Sequence, residues 1–294
     1  SSHPDLDFLS RALEVSLERR PMPEPKPHEV VVKLLARDHP IGQIVWARYT
    51  FHALIFLAVF SRVGILRQMR TARPLLQLGR SVLLLAATGF FFTALRYMPL
   101  ADAVGINMVA PLLVTAFSIP ILGERVGVRR WAAILAGFAG ALVIIRPGFG
   151  EMHWWMVLPL GTAVCYALYQ ILTRIASATD DARTSLFWTS AVGVLATSAL
   201  APFAWTPPSA AGWIMMAGTG VAFGLGHYLL IRGLEFAPAS SLSPFNYTQI
   251  LWAALFGIAV FGDWPDAFTL GGAAIVIASG LYVWRREMAL RSGP

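Results

Sequence analysis

Tyr166, Tyr169, Gln170 and Thr173 fall at i, i+3, i+4 and i+7. A helix through 154–175 therefore gathers two phenols, an amide and a hydroxyl into one stripe. In a charge-free segment such a stripe faces protein or water. It can line a cavity, where the two rings stack on a flat solute, or it can pack against a neighbouring helix. A second group lies at Asn246, Tyr247 and Gln249, with Thr248 between them and Trp252 one turn on. Asn246 and Gln249 are three apart and share a helical face. Asn107 sits in another charge-free run. An amide in hydrocarbon favours a protein or solute partner, although interhelical hydrogen bonds in membranes average only about 0.6 kcal/mol. The expected chemistry is hydrogen bonding and stacking to a small polar solute. The alternative is that these groups tie helices together.

His227 lies inside a run without Asp, Glu, Lys or Arg. Ionisable side chains within membrane spans are read by default as functional. Histidine changes charge near neutral pH, so His227 is a candidate proton-coupling group; a neutral imidazole bonded to a neighbour is the other reading. Arg48, beside Trp46 and near His52, is expected to reach up to lipid headgroups, with a solute carboxylate as its second partner. Asp102 and Arg96 bracket a short turn and are expected to be solvated.

These residues are carried by a chain of 294 residues that is 56% hydrophobic and only 13% charged. Soluble domains carry about 25% charged residues, which excludes an ordinary cytosolic protein. Cys165 is the one cysteine, so no disulfide framework or multi-cysteine metal site is available. The net charge of +7 does not point to nucleic acid, because beyond residue 40 every basic group is an Arg lying between apolar blocks. A bilayer core needs about 20 mostly apolar residues as helix. The sequence supplies nine such spans, at about 41–60, 80–97, 101–122, 129–146, 154–175, 184–203, 211–234, 239–261 and 266–285. The fold class is thus all-α, a polytopic membrane helical bundle.

Segment 61–80 has five Arg and no acid, "GERVGVRR" has three Arg, and the tail 286–294 with its preceding residue has three more. The positive-inside rule places these segments and the C-terminus in the cytoplasm, with the inner (plasma) membrane as the location. A shift of 139 residues aligns 95–146 with 234–285 without a gap. Only ten of 52 positions are identical, but they fall at structural positions: Pro99 on Pro238, Asn107 on Asn246, Gly123 on Gly262 and Arg146 on Arg285. His227 falls opposite Thr88 under the same shift. The first Gly-acid turn lies inside by the charge rule and the second outside, so the two halves are inverted, as in many secondary transporters. The second half, 154–285, holds five spans and the first, 33–146, only four.

The strings "PIGQIVWARYTFHALI", "LRYMPLADAVGINMVAPLLVTAFSIPILGERV", "RRWAAILAGFAGALVIIRPG" and "LEFAPASSLSPFNYTQILWAALFGIAVFGDWPDAFTLGGAAIVIASGLYVWRRE" resemble, in that order, the second to fifth and the ninth and tenth helices of the EamA family of the drug/metabolite transporter superfamily. The resemblance covers about 33–286 and implies two inverted five-helix repeats. It also implies transport of small metabolites: typically export of amino acids or related solutes, and in some relatives uptake of vitamins or nucleoside-like compounds. Residues 1–32, polar and proline-rich, depart from the family's first helix. A reading-frame or splice difference upstream of Val30, a rearranged protein and a nine-span variant all account for the departure.

The leading expectation is a secondary transporter that exports an amino-acid-like metabolite by alternating access. Its site residues are Asn107, Asn246, Tyr247, Gln249, Tyr166, Tyr169 and Gln170, and its proton-coupling candidate is His227. A close rival is uptake of a flat ring-bearing solute, a vitamin such as riboflavin or a nucleoside-like compound such as S-adenosylmethionine. A third class is a non-transporting membrane subunit or lipid-flipping partner. No phosphate-binding loop or acid cluster supports an enzyme, and no cofactor or metal is expected. The partners are the solute and the lipid bilayer. Gly220/Gly224, Gly137/Ala141 and Gly271/Gly272 suit close helix packing within one bundle, with a homodimer through 129–146 and 266–285 as the alternative.

Overall fold

Prolines and polar turns cut the apolar runs into helices. The computed structural model describes residues 28–60, 69–122, 128–146, 154–236, 248–261 and 264–291. These form α1 (His28–Asp38), α2 (Ile41–Phe60), α3 (Pro74–Tyr97), α4 (Leu100–Asn107), α5 (Ala110–Leu122), α6 (Val128–Ile145), α7 (Leu158–Ala176), α8 (Ala182–Leu200), α9 (Ala210–Phe236), α10 (Thr248–Phe261) and α11 (Ala267–Arg291). No strand occurs among the described residues.

Four boundaries differ from those expected. The helix expected from 80 begins at Pro74, where a missing N–H costs nothing in the first turn. Arg80 is thereby carried inside the helix. The span 101–122 is two helices, because Pro111 offers no N–H to the Asn107 carbonyl and its ring clashes with that carbonyl. Asn107 becomes the last residue of α4. The last helix runs on to Arg291, past the expected end at 285. Finally, the polar segment expected to end at 32 is already helical from His28.

Side-chain contacts sort the helix ends into two groups. Thr71 and Gln77 donate to the Asp180 carboxylate at 2.6 and 2.7 Å, so the start of α3 lies beside the α7–α8 turn. At the opposite end Thr269 donates to Asp102 at 2.6 Å, Arg146 pairs with Asp266, and Tyr97 stacks on Trp155 with centroids 5.2 Å apart. Asp102 is therefore bonded across to α11 and not simply solvated. Gln43 grips the backbone of Thr206 through both amide atoms, at 2.8 and 3.0 Å.

The α6–α11 pair shows how the matched halves meet. Arg146 meets Asp266, and a Cβ added at Gly272 would lie 2.5 Å from the Gly140 carbonyl oxygen. The numbers rise on one helix as they fall on the other, so the two run antiparallel. The 139-residue shift carries α6 onto this oppositely directed partner. Gly140 and Gly272 are spent on this contact within the chain, whereas a Cβ at Gly271 would meet nothing.

The core is apolar, as in a water-soluble bundle, but polar side chains share it and large apolar ones cover the outside. Arg48, Arg80, Gln43, Gln77, His52 and a series of threonines are buried, while Leu75, Val82, Leu135, Leu195, Ile214, Leu229 and Phe268 face outward. Among the described residues, six helical stretches are long and apolar enough to cross a membrane: Ile41–Val59, Pro74–Tyr97, Leu100–Ile121, Trp154–Ala176, Ala210–Gly233 and Ala267–Arg285, and Trp131–Ile145 is a shorter apolar one. An apolar exterior, with the charged and polar side chains kept inside among the apolar core, is what lipid as solvent demands.

Candidate functional site

The break between α4 and α5 opens onto a cavity of about 350 Å³, within the range of small-molecule sites. Arg48 enters it from α2, Thr88, Phe91 and Phe92 from α3, Asn107 from α4, Thr162 and Tyr166 from α7, Phe223 and His227 from α9, and Gln249 from α10. Glycines let these helices approach. Added Cβ atoms at Gly220 and Gly224 would lie 2.4 Å from Phe51 Cβ and 3.0 Å from His52 Cδ2, so α9 can sit against α2 only with glycine at both places.

Arg48 does not reach for headgroups. Its guanidinium is 2% exposed, donates to the Thr88 hydroxyl and lies 4.7 and 4.4 Å from the ring centroids of Tyr49 and Phe223. Thr88 is able to accept because its own hydroxyl proton goes back to the Leu84 carbonyl at 2.8 Å. His227 Nδ1 donates to the Phe223 carbonyl at 2.9 Å, which leaves Nε2 as the basic nitrogen, buried and without a partner. Asn107 Oδ1 is likewise buried and unpartnered. Thr88 and His227, equivalent under the repeat shift, line the same cavity.

The tyrosine stripe divides. Tyr166 lines the cavity and stacks on Tyr169 at 5.8 Å between centroids. Tyr169 is fully buried behind it and its hydroxyl accepts from Arg80 Nη2 at 3.2 Å. Gln170 is buried in the packing, outside the cavity lining, with neither end of its amide hydrogen-bonded. Thr173 accepts from Arg80 Nε at 3.0 Å. Thus one residue of the stripe faces a solute-sized space and the others are framework. Asn246 and Tyr247 lie outside the described residues, as do the two Gly-acid corners at 123–124 and 262–263.

Arg80, 0% exposed, organises a polar knot on the far side of Tyr169 from the cavity. Its Nη1 donates to Gln77 Oε1 at 2.8 Å and to the Ser185 carbonyl at 2.7 Å, and Gln77 passes the interaction on to Asp180. The column Tyr166–Tyr169–Arg80–Gln77–Asp180 occupies the path from the cavity to the α7–α8 turn. Arg48 was expected at the headgroups, with a solute carboxylate as its second partner, and Arg80 did not stand out, because an Arg near a span end ordinarily snorkels. The usable signal for Arg80 was Gln77 three residues earlier, which puts a second polar side chain on the same helical face.

A bundle of outwardly apolar helices around a largely aromatic cavity with a few polar groups is the build of a multi-pass membrane carrier of small solutes. The chain belongs to the EamA-like transporter family, whose sequence model matches residues 29–146 and again 153–285. It is 27% identical over 256 residues to a riboflavin transporter of Rhizobium johnstonii, covering 87% of this chain and 84% of that protein. It is 21% identical to an S-adenosylmethionine uptake transporter of Rickettsia prowazekii, covering 87% of each. It is 27% identical over 262 residues to the pseudopaline exporter CntI of Pseudomonas aeruginosa, covering 87% of this chain and 90% of that protein. A protein of known crystal structure superposes with a TM-score of 0.62 at 19% identity, over 88% of this chain and 96% of that one, which shows a shared fold.

Proposed function

We propose that this chain is a secondary transporter of the inner membrane, with its C-terminus in the cytoplasm, that carries a ring-bearing small solute through the cavity by alternating access. The observation that carries this reading is the lining itself. Phe91, Phe92, Tyr166 and Phe223 supply ring faces, while Arg48, Asn107, His227 and Gln249 supply polar groups that orient a solute. Aromatic walls with few directed polar groups suit a flat solute. Relatives named for riboflavin and S-adenosylmethionine support the same class. The antiparallel α6–α11 pair supports two opposed halves that rock about the cavity. The chain carries no nucleotide-binding loop, and the driving force in this reading is an ion gradient or the gradient of the solute itself.

A second reading, export of an amino-acid-like metabolite, draws on Arg48, which suits a carboxylate, and on the relative named as a pseudopaline exporter. Both readings use the same cavity. Flux of riboflavin and S-adenosylmethionine, and of a panel of aromatic and aliphatic amino acids, across proteoliposomes containing the purified chain tests them. Saturable flux of a ring-bearing compound supports the first reading. Saturable flux confined to aliphatic amino acids overturns it in favour of the second, and leak-level flux throughout overturns both.

A further inference from the structure

Among the described residues, Arg48 is the one permanently charged side chain lining the cavity, and no Asp or Glu lines it with Arg48. Its Nη1 bonds to a neutral hydroxyl and its Nε is buried with no partner at all. The flanking rings of Tyr49 and Phe223 soften the desolvation of a cation without cancelling its charge. A buried charge in hydrocarbon is normally paired. Arg80 shows how this chain does so when an arginine is purely structural: Nε, Nη1 and Nη2 are all taken, and Gln77 links it to the Asp180 carboxylate. Arg48 has no such link. The histidines close to it, His52 and His227, can add only positive charge. Among the described residues the cavity thus holds an uncompensated cation together with two unpartnered acceptors, Asn107 Oδ1 and the basic His227 Nε2.

We propose that Arg48 is an oxyanion site, and that the solute carries a carboxylate or phosphate on its ring system. The oxyanion takes an in-plane N–H edge of the guanidinium not used by Thr88, where a planar fork gives charge-assisted bonds with fixed orientation. N–H or O–H groups elsewhere on the same solute donate to Asn107 Oδ1 and His227 Nε2. This rests on the reading of the cavity as the solute site and narrows it from ring-bearing solutes to anionic ones.

The test uses the full chain in lipid nanodiscs and three matched pairs of probes: 10-carboxymethylflavin with riboflavin, adenosine monophosphate with adenosine, and N-acetyltryptophan with its amide. Binding is read by the shift of the thermal midpoint with concentration. In at least one pair the oxyanion member is expected to bind tenfold or more tightly than its neutral twin. Whether the carboxylate or the phosphate pairs show it identifies the oxyanion. Arg48→Gln is expected to erase the preference, and Arg48→Lys, which keeps the charge and loses the fork, to keep part of it. Should Arg48→Gln fail to fold, the wild-type pairs and Arg48→Lys still decide. Equal binding within every pair, or a preference that survives Arg48→Gln, overturns the oxyanion site and leaves the cavity as a solute site. No binding by any of the six overturns the ring-solute reading and the oxyanion site with it.

Discussion

Thr88 and His227 line one cavity from opposite halves of the chain, at positions that the 139-residue repeat makes equivalent. The Thr88 hydroxyl accepts from Arg48, and His227, whose basic nitrogen is buried without a partner, lines the same space. The two matched positions thus carry two chemistries, a neutral acceptor and a group able to take a proton.

That difference makes His227 the place to look for proton coupling. Nδ1 is committed to the Phe223 carbonyl, so a proton can arrive only at Nε2. His227→Gln keeps the polarity and removes the titration. Flux measured between pH 5.5 and 8 in proteoliposomes is expected to lose its pH dependence in this variant; a profile parallel to that of the wild type removes His227 from coupling.

Asn107 has no hydrogen bond to its buried Oδ1, so cutting it back removes no bond from that oxygen. Asn107→Ala is expected to weaken solute binding about fivefold or more, in line with the loss of one hydrogen bond of about 1 kcal/mol. The thermal midpoint should move by no more than a degree or two. A large fall in the midpoint would assign Asn107 to packing.

Arg80 should behave oppositely. Its removal orphans Gln77 Oε1 and the Tyr169 hydroxyl and takes one bond each from the Ser185 carbonyl and the Thr173 hydroxyl, which keep others, and each buried group left unpaired costs about 1–3 kcal/mol. Arg80→Met is expected to lower the thermal midpoint far more than Asn107→Ala does. A variant as stable as the wild type would show that the knot contributes nothing to the fold.

The α6–α11 contact gives a paired stability test one residue apart. Gly272→Ala places a methyl 2.5 Å from the Gly140 carbonyl oxygen and must push the helices apart, whereas Gly271→Ala meets nothing. Gly271→Ala is expected to be neutral or mildly stabilising, as a helix-interior Gly to Ala change generally is. Equal effects in thermal unfolding would contradict the close crossing.

At the end of the same pair, partial burial pushes the Asp266 carboxyl up, but hydrogen bonds from Arg146 and Thr269 and the Arg146 charge outweigh it and hold the group below its ordinary value. A depressed folded-state value means stabilisation that is present above the ordinary carboxylate range and lost as pH falls below about 4. The pair is largely exposed, so the effect is under about 1 kcal/mol. Asp266→Asn should remove that part of the acid dependence of unfolding, and an unchanged acid limb would show that the pair contributes nothing.

How much of this was legible beforehand follows from what each signal reports. Hydropathy and Arg placement delimit helices well because lipid imposes one requirement on every span. The repeat shift could match Thr88 with His227, but pattern alone could not say that both face inward. The Tyr166 stripe was visible as a face, yet periodicity cannot tell a cavity wall from a helix contact, and only Tyr166 of the four lines the space. Arg48 and Arg80 were misjudged for one reason. A long basic side chain can bend to the headgroups or fold inward, and the choice depends on partners such as Thr88 and Gln77 that sit 40 and three residues away. The break at Asn107 was readable from Pro111 four residues on.

The central claim is that one cavity between opposed halves opens to each side of the membrane in turn. Cys165→Ala supplies a cysteine-free background, and Thr88→Cys then places a single thiol on the cavity wall. Its reaction with a membrane-impermeant thiol reagent, added to one face of sealed proteoliposomes and then to the other, is the most direct measurement. The account predicts labelling from both faces and protection by the transported solute in each case. Labelling from one face only, or labelling that a transported solute does not slow, would contradict it.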